Sequence, residues 1–125
     1  MERIRLKMIK EGKVWGQTSP LVQLPLMELH HIYIEKDGYC SKHSHQSKEN
    51  LFLVISGKLE VKKWKDYDLI DSTFLHKNDI AIVSAGEDHQ FYAHEDTEAY
   101  EIYWPQQISF SDIVRECVGG IKNVI

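Results

Sequence analysis

The sequence has few of the features that mark secreted, membrane and nucleic-acid-binding proteins. Its two cysteines, Cys40 and Cys117, are too few for a disulfide framework. No stretch approaches the roughly 20 apolar residues of a membrane span, and residues 1–7 lack the apolar core of a signal peptide. No long run of lysine and arginine occurs, and the net charge is −4 at pH 7, which gives no general attraction for nucleic acid. We therefore expect a cytoplasmic protein that binds neither nucleic acid nor a membrane.

Proline is also scarce, and its positions divide the chain. The prolines at 20, 25 and 105 leave residues 28–104 free of proline. The length of 125 residues fits one domain with one core, and 42% hydrophobic with 27% charged residues is an ordinary globular composition. We expect a single domain over 1–125, with an N-terminal extension (1–27), a barrel core (28–104) and a C-terminal helix and tail (105–125).

The proline-free segment has the pattern of an all-β protein. Short runs rich in β-branched, aromatic and aliphatic residues alternate with turn residues, as in sandwiches and barrels. The predicted strands are 29–35, 51–55, 59–64, 69–75, 80–83, 89–93 and 98–104. Before them, residues 21–27 suit an extended edge segment. After Pro105, residues 111–118 followed by two glycines predict one short helix.

Histidine is the residue that stands out among those present. His43 and His45 are two positions apart, so in an extended segment both imidazoles project to the same side. His89 follows a glycine-containing turn much further along the chain. Neutral imidazoles are good ligands for divalent transition metals. A His-x-His pair alone is more often exposed on a loop, so the case depends on the residues around it.

Those surroundings resemble the two sequence motifs of the cupin superfamily. The first motif matches in Gly38, the His43–His45 pair and Gly57, and the second in Gly86 and His89. The resemblance covers about residues 28–104. It implies a cupin-type double-stranded β-helix, a jelly-roll barrel. It also implies one divalent metal ion (Zn, Fe, Ni or Mn) held by the three histidines.

The second motif departs from the family pattern at three positions, and the first motif at one. Asn78, Ser84 and Ala93 replace a glycine, a proline and an asparagine, and of these Asn78 can adopt the left-handed conformation of a turn glycine. In the first motif the family's glutamate position, six residues before Gly57, holds Asn50.

The identity of a fourth metal ligand depends on which side of its strand faces inward. Strand alternation turns Asn50 inward with Phe52 and turns Glu49 outward, unless the strand bulges near Lys48. We therefore predict a metal site of His43, His45, His89 and Asn50, with Glu49 as the alternative fourth ligand.

Function does not follow from the fold alone. One hypothesis is a metal-dependent enzyme, of dioxygenase, isomerase or lyase type, acting on a small oxygen-rich molecule. The other is a non-catalytic module that binds a small sugar-like ligand. No catalytic residue is assigned, although Glu101, Tyr33 and Tyr103 qualify as acid–base groups if they face inward. A homodimer is also expected, with its contact in residues 1–27, where the chain carries the apolar residues Leu21, Val22, Leu24 and Leu26.

Overall fold

The computed structural model describes residues 5–105, which form nine β-strands in two antiparallel sheets. The six-stranded sheet has the order β1-β2-β3-β9-β4-β7 and the three-stranded sheet the order β6-β5-β8. The strands are β1 (Glu11–Lys13), β2 (Gly16–Leu24), β3 (Met27–Ile34), β4 (Glu49–Ser56), β5 (Leu59–Lys65), β6 (Asp68–Leu75), β7 (Ile80–Val83), β8 (Asp88–Ala93) and β9 (Thr97–Trp104). No helix in this part of the chain is long and apolar enough to cross a membrane.

The hydrophobic core lies between the two sheets. In β4 the side chains alternate, so Asn50, Phe52 and Val54 are buried while the residues between them are half-buried. Strands with one face inside a barrel show this period of two. The large sheet contributes Ile32, Ile34, Phe52, Val54, Val83 and Ala99 to the core, and the small sheet contributes Leu59, Val61, Leu75, Phe91 and Ala93.

The predicted strands of the barrel core are all present, with ends that shift by two residues at most. The segment assigned to an N-terminal extension is more ordered than the sequence indicates, because β1 and β2 within it belong to the large sheet. Pro20 lies inside β2, next to a register shift between Pro20 and Val22, where an irregular ladder tolerates a residue without an N–H group. The helix predicted at 111–118 lies outside the described residues.

Two turn residues of the motifs show why those positions are restricted. Asn78 has a φ of 71°, the left-handed conformation expected for a residue in place of the family's glycine. Gly57 has a φ of 94°. A Cβ atom at Gly57 would collide with the carbonyl oxygen of Asp96. The β4–β5 turn therefore requires glycine for two independent reasons.

Candidate metal centre

Three histidines that lie far apart in the sequence come together at one end of the barrel. His43 pairs with His89 of β8 through an isolated bridge, in which their backbone N–H groups donate to each other's carbonyl oxygens at 3.0 and 2.8 Å. His45 lies two residues further along. One nitrogen atom from each of the three rings lies within 4.8 Å of the others. The structure thus brings together the histidines of both sequence motifs.

Backbone carbonyls fix which ring nitrogens face the centre of this cluster. The Nδ1 atom of His43 lies 2.7 Å from the carbonyl oxygen of Ser41, and that of His89 lies 3.1 Å from that of Glu87. Because a carbonyl oxygen only accepts, the neutral form of each ring carries its proton on Nδ1 and keeps a free lone pair on Nε2. Metal-binding histidines are commonly oriented by such a bond on the other nitrogen.

The buried nitrogens of the cluster have no partner within the described chain. The Nε2 atoms of His45 and His89 are both inaccessible to solvent and make no hydrogen bond there. Burial lowers the pKa of His45 to about 4 and lowers that of His89 as well, so both rings are neutral at pH 7. Neutral imidazoles with unpaired, converging nitrogens suit a divalent metal ion of the zinc, iron, nickel or manganese class.

Asn50 faces the interior, as strand alternation predicts. It is 1% exposed, its Nδ2 donates to Glu101 Oε2 at 3.2 Å, and its Oδ1 is buried without a partner. Glu49 is half-buried on the other side of β4. The register shift of β4 lies between Val54 and Ser56, so no bulge turns Glu49 inward. Asn50 as the fourth metal ligand stays a prediction.

A carboxylate from the neighbouring strand enters the same region. Glu101 of β9 is 8% exposed, and its Oε2 accepts a hydrogen bond from the Tyr103 hydroxyl at 2.7 Å. Burial and the adjacent Glu101 charge raise the pKa of Tyr103 far above its ordinary value, so this hydroxyl remains a donor. Alternation in β9 allows either face of the strand to point inward. In the structure, the face of Ala99, Glu101 and Tyr103 points inward. Tyr33, the third acid–base candidate, borders a groove on the opposite side of the sheet.

His43, His89, Glu101 and Tyr103 line a cavity of about 390 Å³. Its aromatic walls are Trp15, Phe52, Phe91 and Tyr103, with Trp15 edge-on to Phe91 at 5.1 Å. Trp15 was not among the residues that the sequence indicated for the site. Trp15 lies in the β1–β2 turn, and a side chain on the following Gly16 would collide with the Tyr33 carbonyl. No local sequence pattern marks this wall, because the restriction at Gly16 comes from Tyr33 of the distant strand β3.

Two further residues border the cavity. His30 lines it and contacts Tyr103 edge-on at 5.7 Å, so one of the adjacent pair His30–His31 does reach the pocket. Cys40 is buried, and its Sγ accepts a hydrogen bond from the Phe91 N–H at 3.2 Å. Burial raises the Cys40 pKa to about 11, so it is a neutral thiol at pH 7.

Comparison with known proteins identifies the fold. No protein-family model matches the sequence, and no curated protein matches it significantly. Solved structures do match. KdgF from Halomonas sp. superposes with a TM-score of 0.69 at 15% identity, over 79% of this chain and 89% of KdgF. A cupin superfamily protein from Desulfitobacterium hafniense gives 0.66 at 13% identity, over 85% of this chain and 95% of that protein. The fold is that of the cupins.

A third similar structure shows the cupin fold as part of a longer chain. The capsular polysaccharide assembling protein CapF from Staphylococcus aureus gives a TM-score of 0.70 at 18% identity. It covers 86% of this chain, which spans only 31% of CapF. At these identities the likeness concerns the cupin fold, and function must be argued from the residues of this chain.

Proposed function

We propose that this cupin-fold protein is a metal-dependent enzyme that moves a proton on a small oxygen-rich molecule, as an isomerase or lyase. The observation that carries the proposal is the Glu101 carboxylate, which lines the same cavity as His43 and His89. The three histidines and Asn50 would hold one divalent metal ion. When bound, such an ion polarises a carbonyl or hydroxyl oxygen and stabilises the negative charge left by removal of a neighbouring proton.

The surroundings of Glu101 suit an acid–base group. Its Oε2 is anchored by Tyr103 and Asn50 at 2.7 and 3.2 Å. Two donors on one oxygen fix the orientation of the carboxylate. The other oxygen, Oε1, makes no hydrogen bond within residues 5–105, so it is the atom that would take the proton. A carboxylate held in this way meets the geometric requirement for general base catalysis.

The remaining walls of the cavity would position the ligand. Trp15, Phe52 and Phe91 form an apolar surface that would contact the carbon skeleton of a small molecule. Dioxygenase chemistry, the other enzymatic class that the sequence suggested, does not require an inward carboxylate. Glu101 therefore favours proton transfer over oxygenation.

Proton transfer can be tested without knowing the natural substrate. Metal-loaded protein is incubated in D₂O with a panel of small hydroxy-aldehydes and hydroxy-ketones, and exchange at carbon is followed by NMR, with oxygen uptake measured in parallel. We expect exchange with at least one compound and its loss in Glu101→Gln, with metal content unchanged. Oxygen uptake without exchange would contradict the proposal in favour of a dioxygenase. Neither signal from a metal-loaded protein would favour the non-catalytic binding module.

A further inference from the structure

Two adjacent histidines of β3, His30 and His31, lie on opposite sides of the large sheet. Each ring is next to a glutamate: His30 Nε2 is 3.1 Å from Glu28 Oε2, and His31 Nε2 is 3.3 Å from Glu98 Oε2. The two histidine side chains are also similarly accessible, at 15% and 18%. Of these two pairs, the His30 pair is the one on the barrel side, because His30 lines the cavity of the candidate metal centre while His31 borders the outer groove.

His30 and Glu101 lie side by side along this cavity. They occupy paired positions on the neighbouring antiparallel strands β3 and β9. Residues paired in this way project to the same side of a sheet, with Cβ atoms about 5 Å apart. Tyr103 contacts both residues, since its ring is edge-on to the His30 ring at 5.7 Å and its hydroxyl donates to Glu101. The cavity therefore contains a second acid–base side chain close to the proposed base.

His30 is not a member of the histidine cluster that would hold the metal. Within residues 5–105, that cluster consists of His43, His45 and His89. The Nε2 side of the His30 ring instead contacts the Glu28 carboxylate. Because an ionised carboxylate only accepts, the neutral ring carries its proton on Nε2 and keeps a lone pair on Nδ1, which makes no hydrogen bond in the described part of the chain. A carboxylate placed in this way orients an imidazole and stabilises the imidazolium that forms when the other nitrogen takes a proton.

We propose that His30 is a second catalytic residue, which moves a proton between the two oxygens of a hydroxy-aldehyde or hydroxy-ketone, and that Glu28 positions it. The inference rests on the proposed function and narrows it to an isomerase of such compounds. Exchanging a carbonyl group with a neighbouring hydroxyl group requires one proton transfer between carbons and another between oxygens. Glu101 serves the first transfer and His30 the second.

The two residues together complete this isomerisation. Glu101 takes the proton from the carbon that bears the hydroxyl group, and the C–H electron pair forms a carbon–carbon double bond while the carbonyl oxygen becomes an oxyanion. His30 Nδ1 then takes the proton of the hydroxyl group and passes it to that oxyanion. The oxygen that lost its proton re-forms a carbonyl group, and the former carbonyl carbon takes up the proton held by Glu101. Protons and electrons balance within the substrate, so no further reactant is required.

Following two reactions in one D₂O sample tests the two residues separately. Metal-loaded protein is incubated with glyceraldehyde, erythrose, xylose or glucose, and NMR measures both exchange at carbon, which needs Glu101, and conversion to the ketone, which needs both residues. In His30→Gln we expect exchange to stay within about threefold of wild type and conversion to fall at least about 100-fold, the usual contribution of an acid–base group. The metal content should stay at the wild-type level.

His31→Gln is the matched control, because His31 has the same kind of glutamate neighbour and a similar exposure on the other side of the sheet. It should leave exchange and conversion unchanged. His30→Ala replaces the glutamine variant if circular dichroism shows that the latter does not fold, and added imidazole should then restore conversion in proportion to its concentration. Glu28→Gln should lower kcat for conversion at least about tenfold with KM nearly unchanged, since the imidazolium loses its neighbouring charge while the ring keeps an acceptor.

The failures of the two proposals are distinguishable. Absence of exchange in the metal-loaded wild-type protein would overturn the proposed function, and the role of His30 with it. Wild-type exchange without conversion would overturn the role of His30 alone, as would full conversion by His30→Gln, equal losses in His30→Gln and His31→Gln, or no rescue of His30→Ala by imidazole. Loss of metal from His30→Gln would make His30 a metal ligand, which also contradicts the proposed role.

Discussion

The hydrogen bond between Tyr103 and Glu101 gives a sharp prediction for stability. Tyr103→Phe removes the hydroxyl that donates to Glu101 Oε2 at 2.7 Å and leaves the rest of the ring in place. A hydrogen bond to a charged group contributes about 1.5–3 kcal/mol. After the change, the buried carboxylate keeps only the Asn50 amide, at 3.2 Å, on that oxygen. We therefore expect the free energy of unfolding of the metal-free protein to fall by about 2 kcal/mol at pH 7.

Urea denaturation, followed by tryptophan fluorescence, measures this change, and a double-mutant cycle isolates the pair. Combining Tyr103→Phe with Glu101→Gln should give a coupling energy of about 1–2 kcal/mol, because each single change already removes the charged hydrogen bond. Tyr100→Phe is the matched control. Tyr100 lies on the outer side of β9, where its hydroxyl has no hydrogen bond within residues 5–105, and its change should cost less than about 0.5 kcal/mol. Equal losses for Tyr103 and Tyr100, or no coupling with Glu101, would refute the proposed anchoring of the carboxylate.

Three further predictions concern single positions. Gly57→Ala should destabilise the protein by at least about 2 kcal/mol in urea, since its φ of 94° and the close carbonyl leave no room for a Cβ atom. Burial alone would raise the pKa of the Glu60 carboxyl, but hydrogen bonds from Ser72 and His94 lower it below its ordinary value. The stabilisation that these bonds provide is therefore present at pH values above the ordinary carboxyl pKa, and it is lost as the pH falls through the lowered pKa of the folded protein. Ser72→Ala should accordingly reduce the unfolding free energy at pH 7 more than at pH 3, and an equal loss at both would contradict the assignment. Asn50→Ala should weaken metal binding more than Glu49→Ala in calorimetric titrations, and the reverse order would make Glu49 the fourth ligand.

The strands of the barrel core follow from local patterns, because turn residues and the period-two alternation are encoded within each segment. Alternation also placed Asn50 inward, and Asn78 adopts the conformation expected of a glycine substitute. An extended segment was expected only from residue 21 onward, so β1 and the first part of β2 were not predicted. Their pairing depends on partners in β3, and β2 contains a proline at an irregular position of the ladder.

In the candidate site, too, some residues are predictable from local sequence motifs, whereas others depend on contacts with distant strands. The cupin motifs predicted that His43, His45 and His89 share one site, and the structure brings them together. Alternation in β9 allows two inward faces, and the pairing of β9 with β3 and β4 determines that Glu101 points into the barrel. Trp15 was missed because a cavity wall formed by a distant hairpin leaves no periodic signal. The homodimer and the cytoplasmic location remain predictions.

The metal content of the purified protein shows whether His43, His45 and His89 hold one divalent metal ion. Elemental analysis, after purification without chelators and again after titration with zinc, should give one ion per chain. His43→Ala and His89→Ala should each lower the affinity at least about 100-fold. His76→Ala, an exposed histidine whose side chain is 61% accessible, should leave it unchanged. Full metal content in the His43 and His89 variants, or no bound metal in the wild-type protein, would show that the three histidines do not form a metal site.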